Sequence, residues 1–350
     1  MAGFSRLCLR FVAAAAAAAL ATGGGARPIS QWLPTPEMSA ANKSYGALGV
    51  SGSATTIPFW KSSFTYGGTT YPFTMVGTNP ITTGRSTTVS NEIVPLKLVF
   101  ADGTKLDAGP EVSGLPGSPL YVNAPYAAGN TQYGDALMRS EFWKYAANEN
   151  YHVLLAPPVV EATIEVTVPA ADGYTTTGAN GSKIGIVTFA WFIHTIEPEI
   201  ITQLGIQPAT LAIFATKSTK VLEQGGYCCF RGYHAALNMS APSGPATFTT
   251  AWASVTSQAI ETMSHEIAEW MNDPFYTNNV PGWRNPVSGG CAGHQLEVGD
   301  PVTWYEFTVG GFNVQDEAFY SWFSRDAPSI GINDTYDLLG KLTAPAKVCP

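Results

Sequence analysis

The chain has 350 residues, a formal net charge of −8, and only 13% charged residues beside 35 glycines and 25 prolines. An acidic chain without a Lys/Arg cluster is unsuited to binding nucleic acid or an anionic membrane surface. The low charge and the frequent Gly, Pro, Thr and Tyr predict a compact extracellular protein rich in strands and turns.

The N-terminus has the pattern of a secretory signal peptide. Arg6 and Arg10 precede a short apolar run, and small residues favour cleavage after Ala21. Removing residues 1–21 takes away these two arginines and no acid, so the charge falls from −8 to −10. No stretch reaches the roughly 20 apolar residues of a membrane span. We therefore expect a secreted protein, in which residues 22–60, rich in Gly, Ser, Ala and Pro, form a loose arm.

Strand patterns dominate the region 61–220, which is either a separate domain or part of one sheet with the region 221–350. The alternation of apolar residues, or short apolar runs between turns, predicts most of these elements. Two hairpins are predicted, over 91–109 with its turn at Asp102-Gly103 and over 304–315 with its turn at Gly310-Gly311, together with strands at 159–170, 185–196 and 209–222, and a helix over 134–150 with Asp135 as its N-cap. This order favours an α+β fold with a mixed or antiparallel sheet, β-rich overall.

Four cysteines remain after removal of the signal peptide, and an even number in an exported chain predicts two disulfides. Adjacent cysteines rarely bond to each other because the geometry is unfavourable. Two pairings remain, and each joins Cys228 and Cys229 to Cys291 and Cys349.

The segment 254–273 has the period of an amphipathic helix, with Thr256 or Ser257 as the cap and Pro274 after its end. One face is apolar and the opposite face carries acids and a histidine. The apolar residues are Ile260, Met263, Ile267, Trp270 and Met271, and the polar ones are Glu261, His265, Glu266, Glu269 and Asp273. This polar face is either an ordinary solvated surface or a metal site. Acids one turn apart repel each other by roughly 0.2–0.5 kcal/mol per pair, and a bound cation would remove this repulsion.

The stretch His265-Glu266-Ile267-Ala268-Glu269 resembles the zinc-protease motif H-E-x-x-H, with glutamate in the last position. Two ligands one helical turn apart point to the same side, so His265 and Glu269 are candidate ligands of one Zn²⁺. Glu266, about 100° further round the helix, is the candidate general base. Because a carboxylate replaces a histidine, Ca²⁺ and Mn²⁺ are alternative ions. A third ligand is sought among His294, Glu297 and Asp300, with Asp273 nearer along the chain.

Four blocks occur in the order CCFRGYHAAL, SHEIAEWMNDP, GW at Gly282-Trp283, and LEVGD at 296–300. Together they resemble the EXORDIUM-like (phosphate-induced) family of secreted plant proteins and its bacterial relatives, over about residues 226–325. The resemblance implies an extracellular or cell-wall location and a zincin-like helix, and it favours Glu297 and Asp300 over His294 as distal ligands. Arg231 interrupts the first block, so His234 is interpreted as a strand histidine in the core.

Three functions are compatible with these residues. The first is a secreted zinc-dependent peptidase that binds the ion through His265, Glu269 and Glu297 or Asp300. The alternative is a non-catalytic extracellular protein that binds a peptide or a cell-wall component, with a structural ion or none. A glycoside hydrolase ranks last, because no pair of acids is marked by the sequence for that chemistry.

Overall fold

The computed structural model describes residues 55–223, 228–242, 244–291 and 293–349. The predicted signal peptide and almost all of the predicted arm lie outside these residues and stay predictions. At the end of the arm, Phe59 and Trp60 already belong to the first strand, and Trp60 is buried.

Short strands and helical turns alternate in the described part of the chain before residue 224. The strands are β1 (Phe59–Tyr66), β2 (Thr69–Val76), β3 (Thr87–Val99), β4 (Lys105–Asp107), β5 (Ala124–Tyr126), β6 (Gly129–Thr131), β7 (Val153–Leu155), β8 (Val159–Val160), β9 (Ile164–Thr167), β10 (Gly173–Thr177), β11 (Lys183–Thr188), β12 (Thr210–Thr216) and β13 (Thr219–Leu222). The helices are α1 (Gly109–Val112), α2 (Tyr133–Glu141), α3 (Trp143–Ala146), α4 (Phe189–Trp191) and α5 (Glu197–Leu204), with a 3₁₀ turn at Leu115–Gly117 and a π turn at Phe192–Ile196.

The remaining elements surround one longer helix. They are the strands β14 (Cys228–Phe230), β15 (Gly232–Ala241), β16 (Gly244–Ser254), β17 (Glu306–Val309) and β18 (Phe312–Gln315), the helices α6 (Glu261–Asn272) and α7 (Tyr320–Ser324), and 3₁₀ turns at Asp300–Val302 and Ile332–Asp334.

A mixed eight-stranded sheet forms the centre of the fold. Its order is β15-β16-β12-β3-β4, and β7, β8 and β9 pair successively along β3. β12 is parallel to both β16 and β3, whereas β15 and β4 are antiparallel additions. Strands from both sides of residue 220 therefore lie in the same sheet. The predicted β-rich α+β fold is confirmed, as are the hairpins β3–β4 and β17–β18.

Two apolar cores lie on the opposite faces of this sheet, because side chains alternate along a strand. In β12, Leu211 and Ile213 belong to the core that includes the apolar face of α6. Ala212 and Phe214 belong to the other core, which is completed by the helical segment before β12. The same alternation in β15 places Tyr233 in the second core and leaves its neighbour on the face toward α6.

Several of the predicted elements are wrong in part. The region 134–150 forms α2 and α3 instead of one helix, and Asp135 lies inside α2 and not at its N-cap, which is Gln132. The run 185–196 continues from β11 into a helix, because its apolar residues cover one face of the sheet instead of joining it.

The run 209–222 contains two strands of different sheets. β12 lies in the central sheet and β13 in a four-stranded sheet with β10, β11 and β14. Ser218, with a φ of 47°, makes the turn between them. A positive φ is rare for a residue with a side chain and gives no signal in the apolar pattern.

The disulfides differ from both predicted pairings. Cys291 is bonded to Cys349, and Cys228 is bonded to its neighbour Cys229. Bridges between Trp283 and Val348 and between Arg284 and Cys291 bring the first pair together, with Cα atoms 5.6 Å apart. Cys228 and Cys229 lie on β14, at the edge of the four-stranded sheet that also contains β10, β11 and β13. Among the described residues, no helix is long and apolar enough to span a membrane.

Candidate metal centre

The helix α6 packs against β15, β16 and β18, so that both of its faces are covered. The predicted apolar residues are all buried, namely Ile260, Met263, Ile267, Trp270 and Met271. The opposite face is largely buried as well, since Glu266 and Glu269 are 4% and 2% exposed. The interpretation of this face as an ordinary solvated surface is therefore wrong.

The helix starts later than predicted, at Glu261, with Ile260 at the N-cap position. Thr256 and Ala259 form a tight turn, in which the Ala259 amide donates to the Thr256 carbonyl at 2.7 Å. Ser257 donates from its amide and its hydroxyl to Glu111. Ser257 and Thr256 therefore stabilise the turn before the helix instead of capping it.

His265 and Glu269 lie one turn apart on α6 and face each other, as the sequence predicts. The distance between His265 Nε2 and Glu269 Oε2 is 3.2 Å. Glu266 approaches the same imidazole, with its Oε1 atom 3.9 Å from His265 Nε2. The three polar residues of the motif therefore converge on one point.

The segment 296–300 brings the two predicted distal acids to this point. One potential metal-ligand atom from each of His265, Glu269 and Asp300 lies within 4.8 Å of the other two. The Gly299 amide donates to Glu269 Oε1 at 3.2 Å. The His265 ring packs on Gly299, where an added Cβ would lie 2.3 Å from Nδ1, so only glycine fits. Glu297 is 8% exposed and lies close enough to Glu269 for the two carboxylates to interact.

Gln315, the last residue of β18, connects the helix to this segment. Its side-chain nitrogen lies 2.8 Å from His265 Nδ1 and donates to the Gly299 carbonyl at 2.9 Å. Its main-chain amide donates to Ser264 Oγ at 3.0 Å. This contact holds the imidazole in the orientation that directs Nε2 toward Glu269.

His234 also belongs to this group of side chains, although the sequence analysis gave it no role there. The group, called the centre below, consists of His234, His265, Glu266, Glu269, Glu297 and Asp300. His234 is a buried strand histidine, as predicted, but β15 directs it toward α6. Its Nδ1 atom lies 3.5 Å from Glu269 Oε2 and 3.7 Å from Glu266 Oε2. Tyr233 and Ala235 both belong to the second core, so the residue between them, His234, lies on the other face of the sheet. The sequence does not indicate which element covers that face.

The pKa values of the acids in the centre are shifted, because several carboxyl groups are buried close together. Burial raises the pKa of Asp300 to about 7, and the neighbouring Glu269 adds to this effect. Burial, and then Glu269, raise the pKa of Glu297 well above its usual value. Burial alone would raise the pKa of Glu269, but the neighbouring His265 and His234 have the larger combined effect and lower it. Without a cation, the centre therefore keeps protons on carboxyl groups that a cation would displace.

The donor atoms fit a small cation. Around a tetrahedral Zn²⁺ with bonds of about 2.0–2.1 Å, neighbouring ligand atoms are roughly 3.3–3.4 Å apart. The separation of His265 Nε2 and Glu269 Oε2 is 3.2 Å, close to this value. In addition, Glu297 Oε1 is buried without a hydrogen-bond partner among the described residues. An oxygen in this situation is costly unless a cation or a water satisfies it.

The other candidate ligands do not join the centre. His294 is exposed, and its ring lies against Gly282. Asp273 accepts hydrogen bonds from the main-chain amides of Thr277 (2.8 Å) and Asn278 (2.9 Å), so that both of its oxygens stabilise the turn after α6.

Scans against protein-family models, curated proteins and solved structures found no match to this chain. The predicted resemblance to EXORDIUM-like proteins is therefore neither supported nor contradicted.

Proposed function

We propose that this chain is a secreted metal-binding protein that holds a divalent cation through His265, Glu269 and Asp300. One observation carries the proposal: three donor groups, from a helix and from a distant segment, converge within 4.8 Å. Gly299 and Gln315 support this arrangement, because the first leaves room for the imidazole and the second contacts its far nitrogen.

Zinc is the cation that the donor set favours. Imidazole nitrogen and carboxylate oxygen are both zinc ligands, and His265 Nε2 and Glu269 Oε2 lie at the spacing of neighbouring tetrahedral ligands. Calcium prefers six to eight oxygen ligands, more than these residues supply, and manganese is the closer alternative.

Metal content of the protein purified without chelator tests this proposal. We expect zinc in the wild type, and the loss of about one ion per chain in His265→Ala. His294→Ala is the matched control, because this histidine is exposed and lies outside the centre. Negligible metal in the wild type and in both variants would contradict metal binding.

A zinc-dependent peptidase is the second candidate, and the position of Glu266 beside His265 favours it. Zinc at this position would supply an acidic water, and Glu266 would accept a proton from that water. The burial of Glu266 weighs against this role, since its carboxylate contacts Gly232 and a substrate carbonyl needs access to the base. This burial favours a non-catalytic extracellular protein, for which a peptide or a cell-wall component is the proposed partner.

Glu266→Gln distinguishes the two candidates. The peptidase requires hydrolysis of unstructured peptides by the wild type, with the loss of activity but not of zinc in the variant. The non-catalytic protein requires no hydrolysis by either form. Residual activity in Glu266→Gln close to that of the wild type would exclude Glu266 as the base.

A further inference from the structure

His234 and Glu266 form a second group of ligand atoms beside the first. Donor atoms of His234, Glu266 and Glu269 lie within 4.8 Å of one another, and all three residues are buried. The distances from His234 Nδ1 to Glu269 Oε2 and to Glu266 Oε2 are 3.5 and 3.7 Å. These values are close to the roughly 3.3–3.4 Å between neighbouring ligands of a tetrahedral cation.

The two groups share one residue, Glu269, and contain different imidazoles. Glu269 Oε2 faces both histidines, at 3.2 Å from His265 Nε2 and 3.5 Å from His234 Nδ1. Carboxylates commonly bridge pairs of cations about 3.5–4 Å apart in two-metal sites. Glu269 therefore occupies the position of a bridging ligand.

One buried carboxylate oxygen beside these groups has no hydrogen-bond partner among the described residues. This atom is Oε1 of Glu297. Glu297 is 8% exposed and its carboxyl group interacts with Glu269, inside the centre. A cation would satisfy this oxygen and remove the repulsion between the neighbouring carboxylates.

The charges match two divalent cations better than one. Four carboxylates (Glu266, Glu269, Glu297 and Asp300) carry four negative charges when ionised, and the two histidines are neutral when they bind metal. One divalent cation would leave two of these carboxyl groups to be neutralised by protons, whereas two cations balance the four charges.

From these observations we infer a two-cation centre in which Glu269 bridges one ion held by His265 and Asp300 and a second ion held by His234 and Glu266. This inference rests on the proposed metal binding and extends it. It also changes the role of Glu266, which becomes a ligand of the second ion and is not free to act as a general base.

Zinc stoichiometry in the full-length mature protein tests the inference. We expect about two ions per chain in the wild type, and about one in His234→Gln and in Glu266→Gln. His294→Gln, the control at an exposed histidine, should keep about two. The key variant is Glu266→Gln, because a general base can be replaced without loss of metal whereas a ligand cannot.

The alternative outcomes separate this inference from the proposed function. About one zinc in the wild type that remains in Glu266→Gln overturns the second ion and leaves the proposed function intact. No zinc in any form overturns both. Loss of all zinc in His234→Gln as well as in His265→Gln means that one ion is shared, which also overturns the two-cation centre.

A spectroscopic measurement on the wild type covers the case in which a variant does not fold. With two equivalents of Mn²⁺, a carboxylate-bridged pair gives the exchange-coupled electron paramagnetic resonance spectrum of neighbouring ions. The spectrum of isolated Mn²⁺ ions at the same loading would overturn the inference.

Discussion

At the scale of single residues, the centre depends on a close approach that only glycine allows. The His265 ring lies on the backbone of Gly299, whose amide donates to Glu269 and whose carbonyl accepts from Gln315. The backbone of one residue thus contacts three side chains of the centre. Any change that moves Gly299 also moves Asp300, which follows it directly.

We expect Gly299→Ala to lower the free energy of unfolding by about 1–3 kcal/mol and to weaken metal binding. The added methyl group would lie 2.3 Å from His265 Nδ1, so either the ring or the segment has to shift. Gly117→Ala is the matched control, because an added Cβ there meets nothing within 4 Å. Urea unfolding and zinc titration measure both effects. Equal stability of the two variants would contradict the close approach.

The sequence predicted part of the centre, for reasons that are specific to each residue. His265 and Glu269 follow from their spacing on one helix face. Asp300 and Glu297 were candidates together with His294, and only the family resemblance favoured them over it. His234 was missed as part of the centre because a strand pattern reports which residues share a face and not what packs on that face.

At the scale of elements, some polar side chains to which the sequence assigns a role within one helix make buried contacts with distant elements instead. Asp135 looks like the N-cap of a helix, but its carboxylate connects α2 to β7. It accepts from the Val153 amide at 2.7 Å and lies 2.8 Å from His152 Nδ1. Similarly, the polar face of α6 is covered by β15, β18 and the segment 296–300, which no helical wheel can show.

We expect Asp135→Asn to destabilise the protein by about 1.5–3 kcal/mol. The amide nitrogen of Asn would face a donor where the buried carboxylate now accepts, and the charge-assisted hydrogen bonds would be lost. Asp172→Asn, in the partly exposed turn before β10, is the control and should change little. Chemical denaturation measures the difference, and a loss at position 135 no larger than at 172 would contradict the account.

Helix and strand are also hard to distinguish in short apolar runs, as residues 185–196 show. The run has no clear period, and its first part is a strand whereas its second part is helical. Length does not decide the question for such a run. The tertiary structure does, because the helical part covers the second core.

At the scale of the whole molecule, buried acids away from the centre make stability depend on pH. Burial raises the pKa of Glu197 to about 7, against the lowering effect of hydrogen bonds from Tyr233 and Thr250. Glu197 therefore holds a proton in the folded chain at pH values where the unfolded chain has lost it. Its contribution to stability is complete below about pH 4.5 and is lost as the pH rises through about 7.

We expect the free energy of unfolding to decrease between pH 5 and pH 8, by up to about 3 kcal/mol from Glu197. Glu197→Gln should remove this part of the decrease, because the glutamine is neutral at every pH. Glu149→Gln, at an exposed position, should retain it. Urea unfolding with chelator present throughout keeps the centre free of metal. If the free energy of unfolding decreased equally with pH in both variants, Glu197 would not be the source of this pH dependence.

Metal binding by the buried face of α6 is the central claim, and diffraction at the zinc absorption edge tests it most directly. Crystals of the mature protein, purified without chelator and supplied with zinc, should give an anomalous peak about 2.0–2.2 Å from His265 Nε2 and Glu269 Oε2. A second peak beside His234 Nδ1 would support the bridged pair. If these side chains were ordered but no peak appeared, and His265 contacted Glu269 directly, metal binding would be contradicted. The polar face of α6 would then be a buried group of ion pairs.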